Sequence, residues 1–261
     1  MYTKVKNYNE LFIKLRPDFP MIWATLEVIQ PNKIVEYGAG SGRILPLYIQ
    51  TNAYEIVGLD IEISMVNSFI EYGNDTNRIT AYCQDVCEYA PILKDADIVI
   101  MTSSVMKHIE PKLRERAWNA ISNSLGENTI IFIDHCTYIY DQNESTKWQN
   151  YYDTLKFWWA EEDRSKLKNY IWKKNVNRKE DILYIKDLKT EEEMCFRTFV
   201  YDIDEMIEDI KKENLQYIQI SDTFTLAYSK PYTKRFIALL AHKNFDTKRL
   251  SSIKENILKL L

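Results

Sequence analysis

Apolar and polar positions along the chain follow two alternating rhythms. Short apolar runs at residues 33–37, 54–60, 78–83, 97–102 and 129–133 read as strands. The fourth is almost unbroken, as expected of a parallel strand covered on both faces. Around these runs, residues recur at helical spacing: Tyr8, Leu11, Phe12 and Leu15 with Arg16; Ile22, Leu26 and Ile29 over residues 21–29; Ile44, Leu47 and Tyr48; Leu113, Ala117 and Ile121 over 111–125; Met206, Ile207 and Ile210 over 204–213. Pro17 and Pro20 separate the first two helices, Pro31 ends the second, and Gly126 ends the fourth. Pro46 is tolerable in a first helical turn, where its missing N–H costs little. Strands alternating with helices predict an α/β fold on a mostly parallel sheet. The last two strands, 216–221 and 235–241, are joined by residues 222–234, too short for another crossover helix, so they should pair antiparallel. From Asp246, the residues Leu250, Ile253, Ile257, Leu258 and Leu261 predict an amphipathic terminal helix that packs on the body or serves a dimer.

Residues 137–201 break this rhythm. They contain no glycine or proline but hold Trp148, Trp158, Trp159 and Trp172, four of the six tryptophans in the chain. Such aromatic density suits a solvated connector poorly, because aromatic clusters bury or bind. The segment reads as an inserted cap, with a helix near 147–168 and a hairpin of strands at 182–188 and 194–200. The expected division is a core of residues 1–136 and 202–261 and a substrate-binding cap of 137–201.

Composition narrows the field. A chain of 261 residues with 46% hydrophobic and 28% charged content supports one packed domain with a sizeable insertion. A net charge of −4 and a pI near 5.6 provide no general attraction to phosphate backbones, so no nucleic-acid partner is expected. Cys83, Cys87, Cys136 and Cys195 form no C-x-x-C pair, and His108, His135 and His242 are scattered, which signals neither a metal site nor a disulfide framework. No apolar run approaches the length of a membrane span, and the first twelve residues lack a secretory apolar core. The expectation is a cytoplasmic protein with reduced thiols, without a membrane partner, and a monomer or homodimer.

Chemistry concentrates in Glu36-Tyr37-Gly38-Ala39-Gly40-Ser41-Gly42-Arg43, where a strand runs into three of only six glycines in the chain. Glycines at a strand-to-helix turn bring backbone N–H groups close to a ligand and favour a carboxylate or other anion. A dinucleotide fingerprint is disfavoured, since Arg43 stands where its third glycine belongs, and no Gly-Lys-Ser/Thr follows to make a Walker loop. An acidic residue two places before G-x-G-x-G resembles the first motif of the class I S-adenosylmethionine-dependent methyltransferases. That resemblance covers about residues 33–135 by motif and 202–243 by pattern. It implies a Rossmann-like, seven-stranded sheet with an antiparallel last strand, an N-terminal lid helix, and S-adenosylmethionine as cofactor.

The same resemblance distributes roles. Gly38 and Gly40 would face the methionine and ribose portion, with Glu36 ordering the loop and Arg43 beside it. Asp60, 22 residues beyond Gly38 at a strand end, stands where a carboxylate meets ribose hydroxyls. Ile61 and Met65 would wall the adenine. Asp85 would accept from its amino group while the backbone N–H of Val86 donates to the ring. Thr102 and Ser103, at the carboxyl end of a central strand, should lie near the transferable methyl group, and Tyr8 and Arg16 of the lid helix above it. His108 could orient or deprotonate a substrate or simply pack, and Asp134 beside His135 is the best ionisable candidate for substrate contact from the core.

In the cap, Trp158 and Trp159 precede Glu161-Glu162-Asp163-Arg164. Carboxylates beside aromatic faces suit a cationic amine or guanidinium. An Asp-Arg pair in an aromatic cap is similar to the plantazolicin-type peptide arginine N-methyltransferases, which makes Asp163 and Arg164 substrate residues. The expected reaction is methyl transfer to a small-molecule or peptide acceptor, most readily on nitrogen. A non-catalytic S-adenosylmethionine-binding module and, more distantly, an NAD-type oxidoreductase remain as alternatives.

Overall fold

The computed structural model describes residues 18–73, 77–138, 148–150, 165, 167–176, 179–222 and 233–261. The chain alternates β1 (Lys33–Tyr37), α2 (Leu45–Gln50), β2 (Glu55–Asp60), α3 (Ile63–Tyr72), β3 (Ile79–Cys83), β4 (Ile98–Met101), α4 (Arg114–Ser124) and β5 (Ile130–Tyr138), with α1 (Phe19–Ile29) before β1. After a second sheet come α5 (Ile203–Lys212), β10 (Leu215–Ser221), β11 (Thr233–His242) and α6 (Thr247–Leu260). The main sheet has seven strands in the order β10-β11-β5-β4-β1-β2-β3. Strands β1 to β5 run parallel, and β11 lies antiparallel to both β5 and β10. This is the expected class I methyltransferase sheet with its reversed last strand.

Alternation along each strand explains the layering. Ile34, Ile56, Ile98, Ile130 and Phe132 face one apolar cluster with α1, α2 and α6. Val35, Val57, Val99, Ile131 and Ile133 face the other with α4 and α5. Successive side chains point to opposite faces, so central strands buried on both sides must be apolar throughout. Helix α1 begins earlier than its periodicity suggested, because Pro20 sits in the first turn without interrupting it. Gln30 closes it in the left-handed region. Helix α2 is only six residues long, after a series of tight turns from Gly42. Between β3 and β4 the chain makes a single 3-10 turn, Pro91–Leu93, in place of a full crossover helix. That leaves a groove of about 920 Å³ lined by residues such as Leu59, Tyr82, Ala90, Pro91 and Ile92.

The second sheet is antiparallel throughout, in the order β6 (Gln149–Asn150), β7 (Tyr170–Val176), β8 (Glu180–Asp187), β9 (Glu193–Phe199). The β8–β9 hairpin lies close to its expected place. The expected helix near 147–168 is corrected in part: Gln149 and Asn150 are strand, and β7 was not foreseen. Lysines and an asparagine at 173–175 hide the strand's apolar alternation, while pairing with β8 supplies its backbone partners. One face is anchored by Tyr170, Ile185 and Met194, all buried. On the other, Lys173 Nζ lies 4.5 Å from the Trp148 ring centre and 4.8 Å from that of Tyr184. Strand β9 rests against the 3-10 turn Val105–His108 that follows β4.

The return from this sheet is secured at Tyr201, which is fully buried. Its hydroxyl accepts from Trp118 Nε1 (3.0 Å) and donates to Asp209 (2.7 Å), while the Arg114 guanidinium stacks 3.8 Å over its ring. Its carbonyl accepts from Thr137 Oγ1 at 2.7 Å and lies 2.8 Å from His135 Nε2. A buried polar group retains partners or costs stability, and this one is well partnered.

Candidate active site

The glycine loop is shaped by backbone that other residues adopt at a cost. Gly38, Gly40 and Gly42 have φ of 65°, 53° and 89°. A Cβ built on Gly38 meets Val105 Cγ2 at 2.6 Å, so this glycine permits the turn after β4 to close onto the loop. The Ala39 N–H bonds the Leu59 carbonyl at 3.0 Å, which carries β1–β2 pairing into the loop. Asp60, at the end of β2, braces it further: Oδ2 accepts from the Gly40 N–H and Oδ1 from the Glu62 N–H, both at 2.9 Å. Each carboxylate oxygen keeps a further lone pair for another donor. Burial raises the Asp60 pKa, against the pull of these N–H groups.

Beneath the loop, Glu36 is 3% exposed and its carboxyl group lies beside the buried Tyr48 hydroxyl. Burial pushes the Glu36 pKa up to about 8, opposed chiefly by the Arg43 guanidinium. Arg43 forms a two-pronged pair with buried Asp18, at 2.6 and 2.5 Å. Its Nη2 also reaches Ser103 Oγ (3.2 Å) and Thr102 Oγ1 (3.4 Å). Arg43 thus ties the entrance of α1 to the end of β4 across the glycine loop. Asp18 was not foreseen as a site residue; nothing in its Pro-Asp-Phe-Pro setting marks it.

At the β2–β3 end, Ile61 is 62% exposed while Met65 is buried. Asp85 is half-buried and its Oδ1 caps a turn by accepting from the Cys87 N–H at 2.8 Å. Val86 sits half-buried in that turn. Gln84 N–H bonds the Asp60 carbonyl at 2.9 Å, which holds the Asp85 turn beside Asp60.

At the β4 end, Thr102 is buried and Ser103 is exposed. His108, on the following 3-10 turn, reaches solvent, although the surrounding protein and the Lys107 ammonium both disfavour its charged form. Asp134 is buried on the same sheet face as Phe132, and its Oδ1 accepts the Ser103 N–H at 2.5 Å. Burial, then the Asp18 charge, push its pKa up to about 7. His135 points to the opposite face and binds the Tyr201 carbonyl, so the two neighbours do not act at one point. Burial lowers the His135 pKa to about 4.

Glu36, Gly38, Gly40, Arg43, Asp60, Ile61, Asp85, Val86, Thr102 and Ser103 are therefore set along the carboxyl edge of β1, β2, β3 and β4. Tyr8, Arg16, Asp163 and Arg164 lie outside the described residues. Among the described residues no group of His, Cys, Asp and Glu is placed to hold a metal, and no helix is long and apolar enough to cross a membrane.

Residues 34–128 match a family model described as a methyltransferase domain. The chain carries a methyltransferase domain. The matched stretch runs from β1 through α4 and includes the glycine loop, Asp60, Asp85 and the β4 turn. Solved structures share the methyltransferase's fold across most of its length. An S-adenosylmethionine-dependent methyltransferase from Clostridium acetobutylicum is 14% identical with a TM-score of 0.68, covering 91% of this chain and 96% of that one. An amino pentose methyltransferase from Micromonospora echinaspora, with S-adenosylmethionine bound, is 11% identical with a TM-score of 0.63, covering 93% and 98%. A sugar N-methyltransferase from Streptoalloteichus is 9% identical with a TM-score of 0.59, covering 91% and 92%. No curated protein sequence matches the chain. The left-handed glycine cradle and the Asp60 carboxylate at the end of β2 fit the cofactor, whose ribose hydroxyls can donate to such an acceptor.

Proposed function

We propose that this methyltransferase acts on a nitrogen of a small-molecule or peptide acceptor that is cationic in its free form. The cofactor, when bound, supplies a sulfonium methyl group for in-line displacement. Asp60 accepts from the ribose hydroxyls through the lone pairs that Gly40 and Glu62 leave open. Glu36 orders the loop and the amino-acid end, with Gly38 and Gly40 allowing close approach. Ile61 flanks the adenine, with Met65 as its buried support, while Asp85 and the Val86 N–H read the adenine edge. Thr102, Ser103 and Arg43 form the floor beneath the methyl group, and Tyr8 and Arg16 belong to the lid. The single observation that carries the slot is the pinning of Asp60, at the end of β2, to the glycine loop.

The division into a core of residues 1–136 and 202–261 and a cap of 137–201 is part of the same proposal. Strand β9 lies against the turn that carries His108, which supports a cap bordering the crevice. The Lys173 ammonium between Trp148 and Tyr184 is itself a cation on the cap's aromatic faces, each such contact being worth roughly 0.5–2 kcal/mol. Likeness to sugar and glycopeptide N-methyltransferases supports nitrogen as the target. Holding the acceptor at attack distance can supply roughly 7–11 kcal/mol, so His108 is not required as a base. Asp163 and Arg164 select the acceptor, and the protein works in the cytoplasm as a monomer or homodimer.

The test is a screen of amino sugars, amines, guanidines and phenols for release of S-adenosylhomocysteine, repeated with Asp163→Asn. A nitrogen acceptor whose turnover falls in the variant, at unchanged cofactor affinity, supports the reading. Turnover of phenols alone, or loss with His108→Ala and not with Asp163→Asn, overturns it. Cofactor binding without release for any acceptor points instead to a binding module.

A further inference from the structure

Two consecutive residues after β4, Ser103 and Ser104, have φ of 57° and 56°. The other described non-glycine residues with positive φ, Gln30 and Glu191, stand singly. L-residues visit this region at a cost, and tandem occupancy persists only where neighbouring structure imposes it. Strand β4 ends at Met101, paired with Ile133, whereas β5 continues to Tyr138. Beyond Ile133, the side of β5 that faced β4 has lost its strand partner. The serine turn takes that place. The Ser103 N–H bonds Asp134 Oδ1 at 2.5 Å, and Ser104 Oγ accepts from the Cys136 N–H at 3.0 Å. Ser104 itself is buried, and its Oγ also lies 3.3 Å from Cys136 Sγ.

We propose that Asp134 is a positioning residue that latches the left-handed Ser103–Ser104 turn, so that the turn seats Val105 on the cofactor loop and presents Ser103 to the methyl-transfer crevice. Asp134 is 3% exposed and spends Oδ1 on a backbone donor, a placement that serves the loop above it and not an acceptor. The turn it holds touches three parts of the site at once. Val105 covers Gly38, Arg43 Nη2 reaches Ser103 Oγ, and the 3-10 turn Val105–His108 lies against β9 of the second sheet. Loss of the latch therefore loosens the cofactor loop and the border of the cap together. This assignment rests on the proposed cofactor slot.

The experiment combines hydrogen exchange over residues 101–107 with calorimetry of S-adenosylhomocysteine, on the full chain. Asp134→Ala should speed exchange of the Ser103 amide tenfold or more and weaken binding three- to tenfold. Asp134→Asn, which retains an accepting oxygen, should stay within twofold on both readouts. Glycine takes the left-handed conformation freely, so in a Ser103→Gly background the further change Asp134→Ala should alter binding less than twofold. Unchanged exchange in Asp134→Ala, or the same binding loss in both backgrounds, overturns the proposal. If Asp134→Ala alone does not fold, the Ser103→Gly double variant must; failure of both is also fatal to it. Absence of binding by the unmodified protein counts against the cofactor slot, while the exchange results still decide the latch.

Discussion

The carboxyl edge of the seven-stranded sheet and the smaller four-stranded sheet are held together by different means. At the first, strands buried on both faces deliver short polar residues into loops that are cross-braced: Asp60 to Gly40, Arg43 to Asp18, Asp134 to Ser103. At the second, one face is anchored by a few apolar residues, and the other carries half-exposed and exposed side chains such as Tyr184, Cys195 and Arg197. A site for an invariant cofactor calls for fixed geometry, which low-dielectric bracing provides. The second sheet, proposed to border the acceptor, needs less rigidity and would draw specificity from a few side chains. The two regions should therefore respond differently to damage.

The largest effect is expected at Gly38. Gly38→Val places a branched side chain against Val105 at a φ that disfavours it, costing several kcal/mol from strain and overpacking together. Cofactor binding should be lost and the melting temperature should fall. A variant that binds normally by calorimetry would break the idea of a rigid edge. Gly40→Val, with φ of 53°, carries backbone strain too, so it does not isolate a clash with the cofactor.

Next comes Ile185, fully buried in the second sheet. Truncation to Ala costs about 2–5 kcal/mol where the site cannot collapse. If the sheets differ as described, Ile185→Ala should depress acceptor turnover while S-adenosylmethionine affinity stays within about threefold. Equal losses of both would show that the two regions form one rigid unit.

Asp60→Ala sharpens the comparison from the core side. It removes charge-assisted bonds of about 1.5–3 kcal/mol each, so cofactor affinity should drop tenfold or more with little change in the acceptor preference of the residual activity. Unchanged affinity in a folded variant would eliminate Asp60 as the ribose acceptor.

The smallest effect is on pH dependence. Glu36 is pushed up to about 8 in the folded protein, so its contribution to stability is complete below the ordinary carboxylate range and is lost as pH rises through about 8. Asp134, raised to about 7, has the same sign. The free protein should melt at a lower temperature near pH 9 than near pH 6, and Glu36→Gln should flatten part of that slope. A slope unchanged by Glu36→Gln would mean that this carboxylate is not the buried group in question.

Much of the fold and of the loop geometry at its carboxyl edge is legible in the order of the residues alone. Unbroken apolar runs alternating with helical spacing determine a parallel sheet covered on both faces, because no other arrangement buries such strands. The linker 222–234 determines an antiparallel finish, since a parallel crossover needs more chain. The glycines at 38, 40 and 42 and the acid at 60 are local signals that report what the backbone must do there. Tertiary structure alone decided the rest. The Asp18–Arg43 pair spans 25 residues and carries no periodic mark. The fate of Asp134 and His135 depends on β5 outlasting β4, which sends one to the serine turn and the other to Tyr201. Strand β7, dense in lysine, is a strand because β8 supplies its hydrogen bonds. Periodicity records which residues are buried; long-range pairing decides which polar groups meet, and only the folded chain brings them within reach.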